Sequence, residues 1–204
     1  MGQLGGGIVY YIDTFYDDAK VSTLRDISLR PYWASISYEG CFVIVSRKFL
    51  QKGRGIDVVI QETISTELLI DTKHVNGEYE DFYIEEYSNS VTKELGWLLR
   101  GESAEDGWPD IIVYVFWEGI SIVAAYNLHF IPLRKWFDKY GSDCPSHVNR
   151  FTRNKTSGRL VPIEDLLSSR YKVRNKEGIM ERRFIAEPIV DIQRFVEFGE
   201  LAIF

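Results

Sequence analysis

The sequence predicts an α+β or mixed α/β domain, and three observations lead there. Short β-branched and aromatic runs follow one another from Ile56 to Leu128, an apolar and acidic stretch at helical spacing precedes them, and an amphipathic stretch follows. A helix, a run of neighbouring strands and a second helix make a layered α+β or mixed α/β arrangement. With 204 residues, 45% of them hydrophobic, the chain has the size and apolar content of one ordinary domain with its own core.

Taken in order, "IVYYIDTFYDDAKVSTLRDISL" (Ile8–Leu29) has no proline and reads as mostly helix, which Pro31 is expected to end. "YWASISYEGCFVIVSRKFLQ" carries a glycine within a β-branched and aromatic run and fits either a strand or a short helix entering a loop. "IDVVIQ" and "ELLIDTKH" predict a β-hairpin turning at "ETIST", and "DFYIEEYS" a third strand reached through the turn signal Asn76-Gly77. "DIIVYVFW" and "ISIVAAYNL" predict two more strands around the turn at Glu118-Gly119. "HFIPLRKWFDKYG" predicts a short amphipathic helix starting from Pro132 and closed by Gly141. Beyond it, "RNKTSGR", "PIEDLLSSRYK" and "RNKEG" suggest a loop, one short helix and another loop. The expected organisation is a domain over residues 1–149 and a basic extension over 150–204 packed on it.

Charge is unevenly spread. Residues 1–149 hold 13 Lys/Arg against 22 Asp/Glu, residues 150–183 hold 10 against 4, and residues 184–204 hold 1 against 4, which together give the net charge of −6. The acidic average argues against a general nucleic-acid coat and leaves room for a protein partner, while the basic segment is the largest cluster suited to phosphate contacts. No long apolar run suggests a membrane span, and "MGQLGGGIVYY" has neither the flank of a secretory signal nor the Ser or Thr of a myristoylation motif, so a cytoplasmic location is expected. Cys41 and Cys144 lack zinc-site neighbours, although His147 follows Cys144 closely, and read as free thiols.

The stretch "GIDVVIQETISTELLIDTKH" (Gly55–His74) carries the chemistry. Side chains alternate along a strand, so Asp71 and Lys73 share a face, and the hairpin brings Asp57 beside Asp71. Two carboxylates converging at a sheet edge repel unless a cation lies between them, and hard oxygen ligands favour Mg²⁺ or Mn²⁺. Lys73 could then orient or help deprotonate a water attacking a phosphodiester. An acid two places from a lysine is by itself usually a solvated strand face. The apolar "LLI" ahead of Asp71 marks a buried strand, where such charges are costly unless paired or metal-bound.

Asp57 followed by Asp71-Thr72-Lys73 on the next strand resembles the PD-(D/E)XK nuclease superfamily, with Gly55-Ile56-Asp57 standing where the superfamily has its proline and aspartate. The likeness to uncharacterised members extends over "GIDVVI", "LLIDTK", "DFYIEEYSN", "LGWLL", "PDIIVYVFW" and "PLRKWF", about Gly55 to Phe137. The resemblance implies a restriction-endonuclease-like core, a central mixed sheet flanked by helices. It implies Asp57 and Asp71 as metal ligands, the Thr72 carbonyl as a third, Lys73 as the water-activating residue and Glu85 as a further acid, with Glu86 on the opposite face. An acid from the first helix, Asp17 or Asp18, could join them, and a homodimer is common in the superfamily.

The function expected is Mg²⁺- or Mn²⁺-dependent hydrolysis of DNA in restriction, repair, recombination or mobile-element biology. Arg47, Lys48, Lys52 and Arg54, just before Asp57, and Arg150, Arg153, Lys155 and Arg159 in the basic segment are the candidate phosphate contacts. The competing readings are an inactive nuclease-like binding or regulatory protein and an RNA-directed nuclease. Trp97 and Trp117 are assigned to packing, Trp108 to an exposed loop, His129 to the core side, and His74 to a structural or exposed position.

Overall fold

The computed structural model describes residues 25, 28–38, 42–44, 57–63, 66–77, 79–99, 108–119, 121–149, 155–175, 177–190 and 192. Among these, the strands in chain order are β1 (Phe42–Ile44), β2 (Val58–Thr63), β3 (Thr66–Asn76), β4 (Asp81–Asn89), β5 (Glu94–Leu95) and β6 (Ile111–Glu118), then β7 (Ser121–His129), β8 (Ser146–Val148), β9 (Ser157–Pro162), β10 (Arg170–Arg174), β11 (Met180–Phe184) and β12 (Ala186–Pro188). Three α-helices accompany them among the described residues: α1 (Arg30–Ile36), α2 (Phe130–Tyr140) and α3 (Ile163–Ser168).

The central sheet has the order β1-β2-β3-β6-β7-β12 and is mixed. Strand β6 pairs in parallel with β3 on one side and antiparallel with β7 on the other. Its run IIVYVFW is apolar throughout because both of its faces are covered, as expected of an interior strand rather than one with a wet side. On one face, Val113, Val115 and Trp117 join Val58, Ile60 and Ile70 beneath Leu29, Tyr32 and Trp33 from α1 and the residue preceding it. On the other, Ile112, Tyr114, Phe116 and Leu128 pack against Phe82 and Ile84 of β4, Val161 of β9, and Leu133 and Phe137 of α2.

Phe82 is the hub of this second core, with ring centroids 5.0 Å from Tyr114 and 5.3 Å from Tyr126, both edge-on. Burying a side chain of this size contributes on the order of 1.5–3 kcal/mol, with about 0.5–1.5 kcal/mol more for each well-oriented aromatic pair. The Tyr114 hydroxyl accepts a hydrogen bond from the Tyr83 N–H at 3.1 Å, so its polar end is satisfied at the junction of the two sheets.

The hairpin of β2 and β3 is present, with a closer turn than expected, since β2 runs to Thr63 and β3 starts at Thr66. The third predicted strand does not continue the central sheet. Strand β4 crosses to a second, four-stranded sheet of order β5-β4-β9-β8, and the chain returns from it to enter β6 parallel to β3. A parallel neighbour needs such a crossover, and here its described residues include β4 and β5 of the second sheet.

Arg25 and Ser28 are helical and Leu29 is a turn residue, so the described end of the Ile8–Leu29 stretch stops ahead of Pro31, which itself occupies the first turn of α1, where its missing N–H would have no intrahelical partner. "YWASI" is accordingly helical and "FVI" is a strand. Helix α2 begins at Phe130, two residues ahead of Pro132, which again lies in the first turn, and Gly141 follows its last residue. The prediction for Ile8–Leu29 lies outside the described residues apart from positions 25, 28 and 29.

The basic extension is not loop, helix and loop. It holds β9, α3, a separate two-stranded ribbon of β10 and β11, and β12. Strand β9 pairs with β4 and β12 with β7, so the extension builds part of both sheets. Composition misled here because the ribbon alternates charged residues with half-buried ones, and its polar content reads as loop. No helix of the described residues is long and apolar enough to cross a membrane.

Candidate active site

The end of the β2–β3 pairing sets the geometry. Val58 pairs with Ile70, and the Asp57 N–H donates to the Ile70 carbonyl at 2.8 Å, so Asp57 is fixed one residue before the strand starts. Its carboxylate accepts a hydrogen bond from the Thr72 N–H at 2.9 Å. In a strand the N–H and C=O of one residue point to the same edge, so the Thr72 carbonyl faces the side on which Asp57 lies. The hairpin thus brings the first acid to the strand carrying the second.

Asp71 and Lys73 share the face of β3 that looks toward the second sheet, alongside Ile112 and Tyr114, their partners on β6. The Lys73 ammonium donates to Asp71 Oδ1 at 2.9 Å and stands 2.8 Å from Oδ2. The Asp71 side chain is 5% exposed and that of Lys73 26%, so the acid is enclosed while the lysine reaches the opening. Burial drives the Asp71 carboxyl up to about 7, opposed by Lys73 and reinforced by the charge of Asp57 and by the hydrogen bond between the two carboxyls. For Lys73 burial acts downward, but the attraction of Asp71, Asp57 and Glu85 outweighs it and the ammonium ends above its usual value. Three acids thus act on one lysine, and negative charge is in excess.

Glu85 comes from β4 in the facing sheet, where it bears on Lys73 through its charge. Two glycines let its strand be gripped closely. A Cβ at position 96 would overlap the Glu85 carbonyl and crowd its Cγ, and one at position 158 would overlap the Ile84 carbonyl. Glu86 does face elsewhere, pairing with Arg159 at 3.1 Å. Trp97 follows β5 in a turn rather than inside a strand, and its ring lies 5.4 Å from the Lys73 ammonium. It therefore walls the site as well as packing on the core. Only the meeting of two sheets gives Trp97 this neighbour.

On the other face of β3, His74 accepts a hydrogen bond from the Trp117 indole N–H at 3.0 Å, and the Arg25 guanidinium stacks on Trp117 at 5.1 Å. His74 is thus structural. Trp108, expected to be exposed, is half-buried against Phe130 and beneath Arg134, because the end of its loop is drawn onto α2. His129 is half-buried, and burial lowers it below the ordinary histidine value. Cys144 is a buried free thiol.

Of the predicted phosphate contacts, Arg159 pairs with Glu86 and donates to the carbonyls of Cys144 at 3.0 Å and Ser142 at 3.3 Å, which holds it inside the second sheet. Lys155 is exposed with a φ of 49°. Arg47, Lys48, Lys52, Arg54, Arg150 and Arg153, together with Asp17, Asp18 and Cys41, lie outside the described residues.

The donor set suits a hard divalent cation: two carboxylates and a main-chain carbonyl beside an excess of negative charge. Among the described residues no group of three or more His, Cys, Asp or Glu side chains stands at metal-holding spacing, so Glu85 does not complete a carboxylate triad. No protein-family model matches the chain, and no curated protein matches it.

Proposed function

We propose that the protein is a Mg²⁺- or Mn²⁺-dependent nuclease that hydrolyses phosphodiester bonds in DNA, built on a restriction-endonuclease-like core. The observation that carries the reading is the convergence of the Asp57 carboxylate, the buried Asp71 carboxylate and the Thr72 carbonyl at the end of the hairpin, with Lys73 paired to Asp71. A mixed central sheet with α1 on one face and α2 on the other also supports it.

Asp57, Asp71 and the Thr72 carbonyl would hold the metal, which when bound stabilises charge on phosphoryl oxygens and lowers the pKa of water. Lys73, ion-paired to Asp71, would orient the attacking water and neutralise developing negative charge. Trp97 flanks that ammonium, and the charge of Glu85 favours it from the facing sheet.

Cleavage of supercoiled and linear DNA with Mg²⁺ or Mn²⁺ tests the reading, comparing the parent with Lys73→Ala and Asp71→Ala. The expected loss is on the order of 10²–10³-fold for Lys73→Ala with an unchanged circular dichroism spectrum. A parent that cuts no better than either variant overturns it.

A further inference from the structure

The ribbon of β10 and β11 has no role in the site described above, and its chemistry is one-sided. Lys172 lies directly across from Arg182, and Arg174 across from Met180. With Arg170, these cations lie on one exposed face. Like charges directly opposite on a β pair are destabilising, so this face is not arranged for the stability of the ribbon itself. Among the described residues no side-chain hydrogen bond or ion pair is made by Lys172, Arg174 or Arg182. The ribbon's strand acid, Glu181, is turned to the other face, where it pairs with Arg183 at 3.3 Å and accepts from the Asn175 amide at 2.6 Å.

The tip is braced by hydrogen bonds and exposes two apolar side chains. The Asn175 side chain accepts from the N–H groups of Glu177 and Ile179, Gly178 supplies a φ of +83°, and Ile179 and Met180 are 57% and 55% exposed. The root of the ribbon is tied to the sheet carrying the candidate site. The Tyr171 ring lies 5.5 Å from that of His129, and His129 and Ile70 flank Ile111 on its two sides. Two inter-strand spacings, about 10 Å, therefore separate His129 from the residue next to Asp71.

We infer that this ribbon is the docking element for duplex DNA, with Lys172, Arg174 and Arg182 contacting phosphates along a groove. The inference rests on the nuclease reading and names the element that presents its substrate. A two-stranded ribbon fits the B-DNA major groove, about 12 Å wide, whereas the deep, narrow major groove of duplex RNA does not admit it.

The test is binding of a labelled DNA duplex to the full chain in EDTA across a salt series, for the parent and for Lys172→Gln/Arg174→Gln/Arg182→Gln. These side chains are exposed, and an unchanged melting curve controls for folding. The variant is expected to bind about tenfold or more weaker near physiological salt, with the slope of log affinity against log salt reduced by about 2.7, or 0.9 per phosphate contact. Equal affinity and slope in the two proteins, no DNA binding by the parent, or equal binding of duplex RNA through the same three side chains each overturn the inference. Cleavage in Mg²⁺ is scored separately. A parent that binds through the ribbon yet never cuts defeats the hydrolytic reading and leaves the ribbon standing. A parent that cuts while the triple variant binds unchanged does the reverse.

Discussion

Replacing Asp71 with Asn should disable the site and make the metal-free protein less sensitive to alkali. The Asp71 carboxyl is held up at about 7 against a reference of 3.8, so its protonated form is favoured in the fold. A raised carboxyl contributes stability that is fully present below about 3.8 and is lost as pH rises through about 7. One pKa unit corresponds to about 1.4 kcal/mol, so between pH 5 and pH 8 this group should remove about 3 kcal/mol of stability. Asn is nearly isosteric and does not titrate, so Asp71→Asn lacks that loss whatever its packing costs. Urea unfolding in EDTA at the two pH values, parent against variant, reads the double difference. Adding Mg²⁺ at pH 8 should raise the parent's stability by mass action and leave the variant unmoved. A double difference within about 0.5 kcal/mol of zero, the typical reach of an unremarkable surface change, would refute the argument that Asp71 is enclosed and charge-strained.

Other substitutions probe the scaffold. Gly96→Ala forces a Cβ into the Glu85 carbonyl and should cost about 1–3 kcal/mol in urea unfolding. Gly119→Ala meets open space and carries only the strain of its φ of +62°, about 1 kcal/mol, so the Gly96 change should be at least as costly. His129 is lowered by burial, with Glu187 opposing and Arg183 reinforcing the shift, so its stabilising share is present above the ordinary histidine value and lost as pH falls through the folded one. His129→Gln should flatten that acid-side decline in a series of melts, and an unchanged pH profile would count against it. Arg159→Gln leaves Glu86 without its ion-pair partner and should lower the melting temperature, with the loss smaller in high salt.

Local pattern and tertiary placement divide cleanly in this chain. The hairpin carrying Asp57, Asp71 and Lys73 was legible because it depends on alternation and on loop length, both local, and burial of Asp71 followed from the apolar residues before it. The double-sided burial of β6 was likewise written in an uninterrupted apolar run. What surrounds the lysine was legible only in part. The family resemblance named Glu85, whose charge acts on Lys73, but nothing within "DFYIEEYS" or "LGWLL" showed that β4 leaves the central sheet, a choice made by the packing of Phe82, Ile84 and Val161 that brings Trp97 beside the ammonium.

The extension was misread for the same reason. Strands β9 and β12 exist because β4 and β7 offer them open edges, and a short polar segment acquires strand structure from its partner's hydrogen bonds. The fate of each arginine follows suit: Arg159 is taken up by Glu86 and two carbonyls, while Lys172, Arg174 and Arg182 are left facing solvent. The sequence alone determined which residues could do chemistry and which strand would carry them, because alternation and hydrophobic burial act over a few neighbouring residues. Only the tertiary structure decided which charges neutralise one another and which stay exposed, because that depends on side chains far apart in the chain meeting across two sheets.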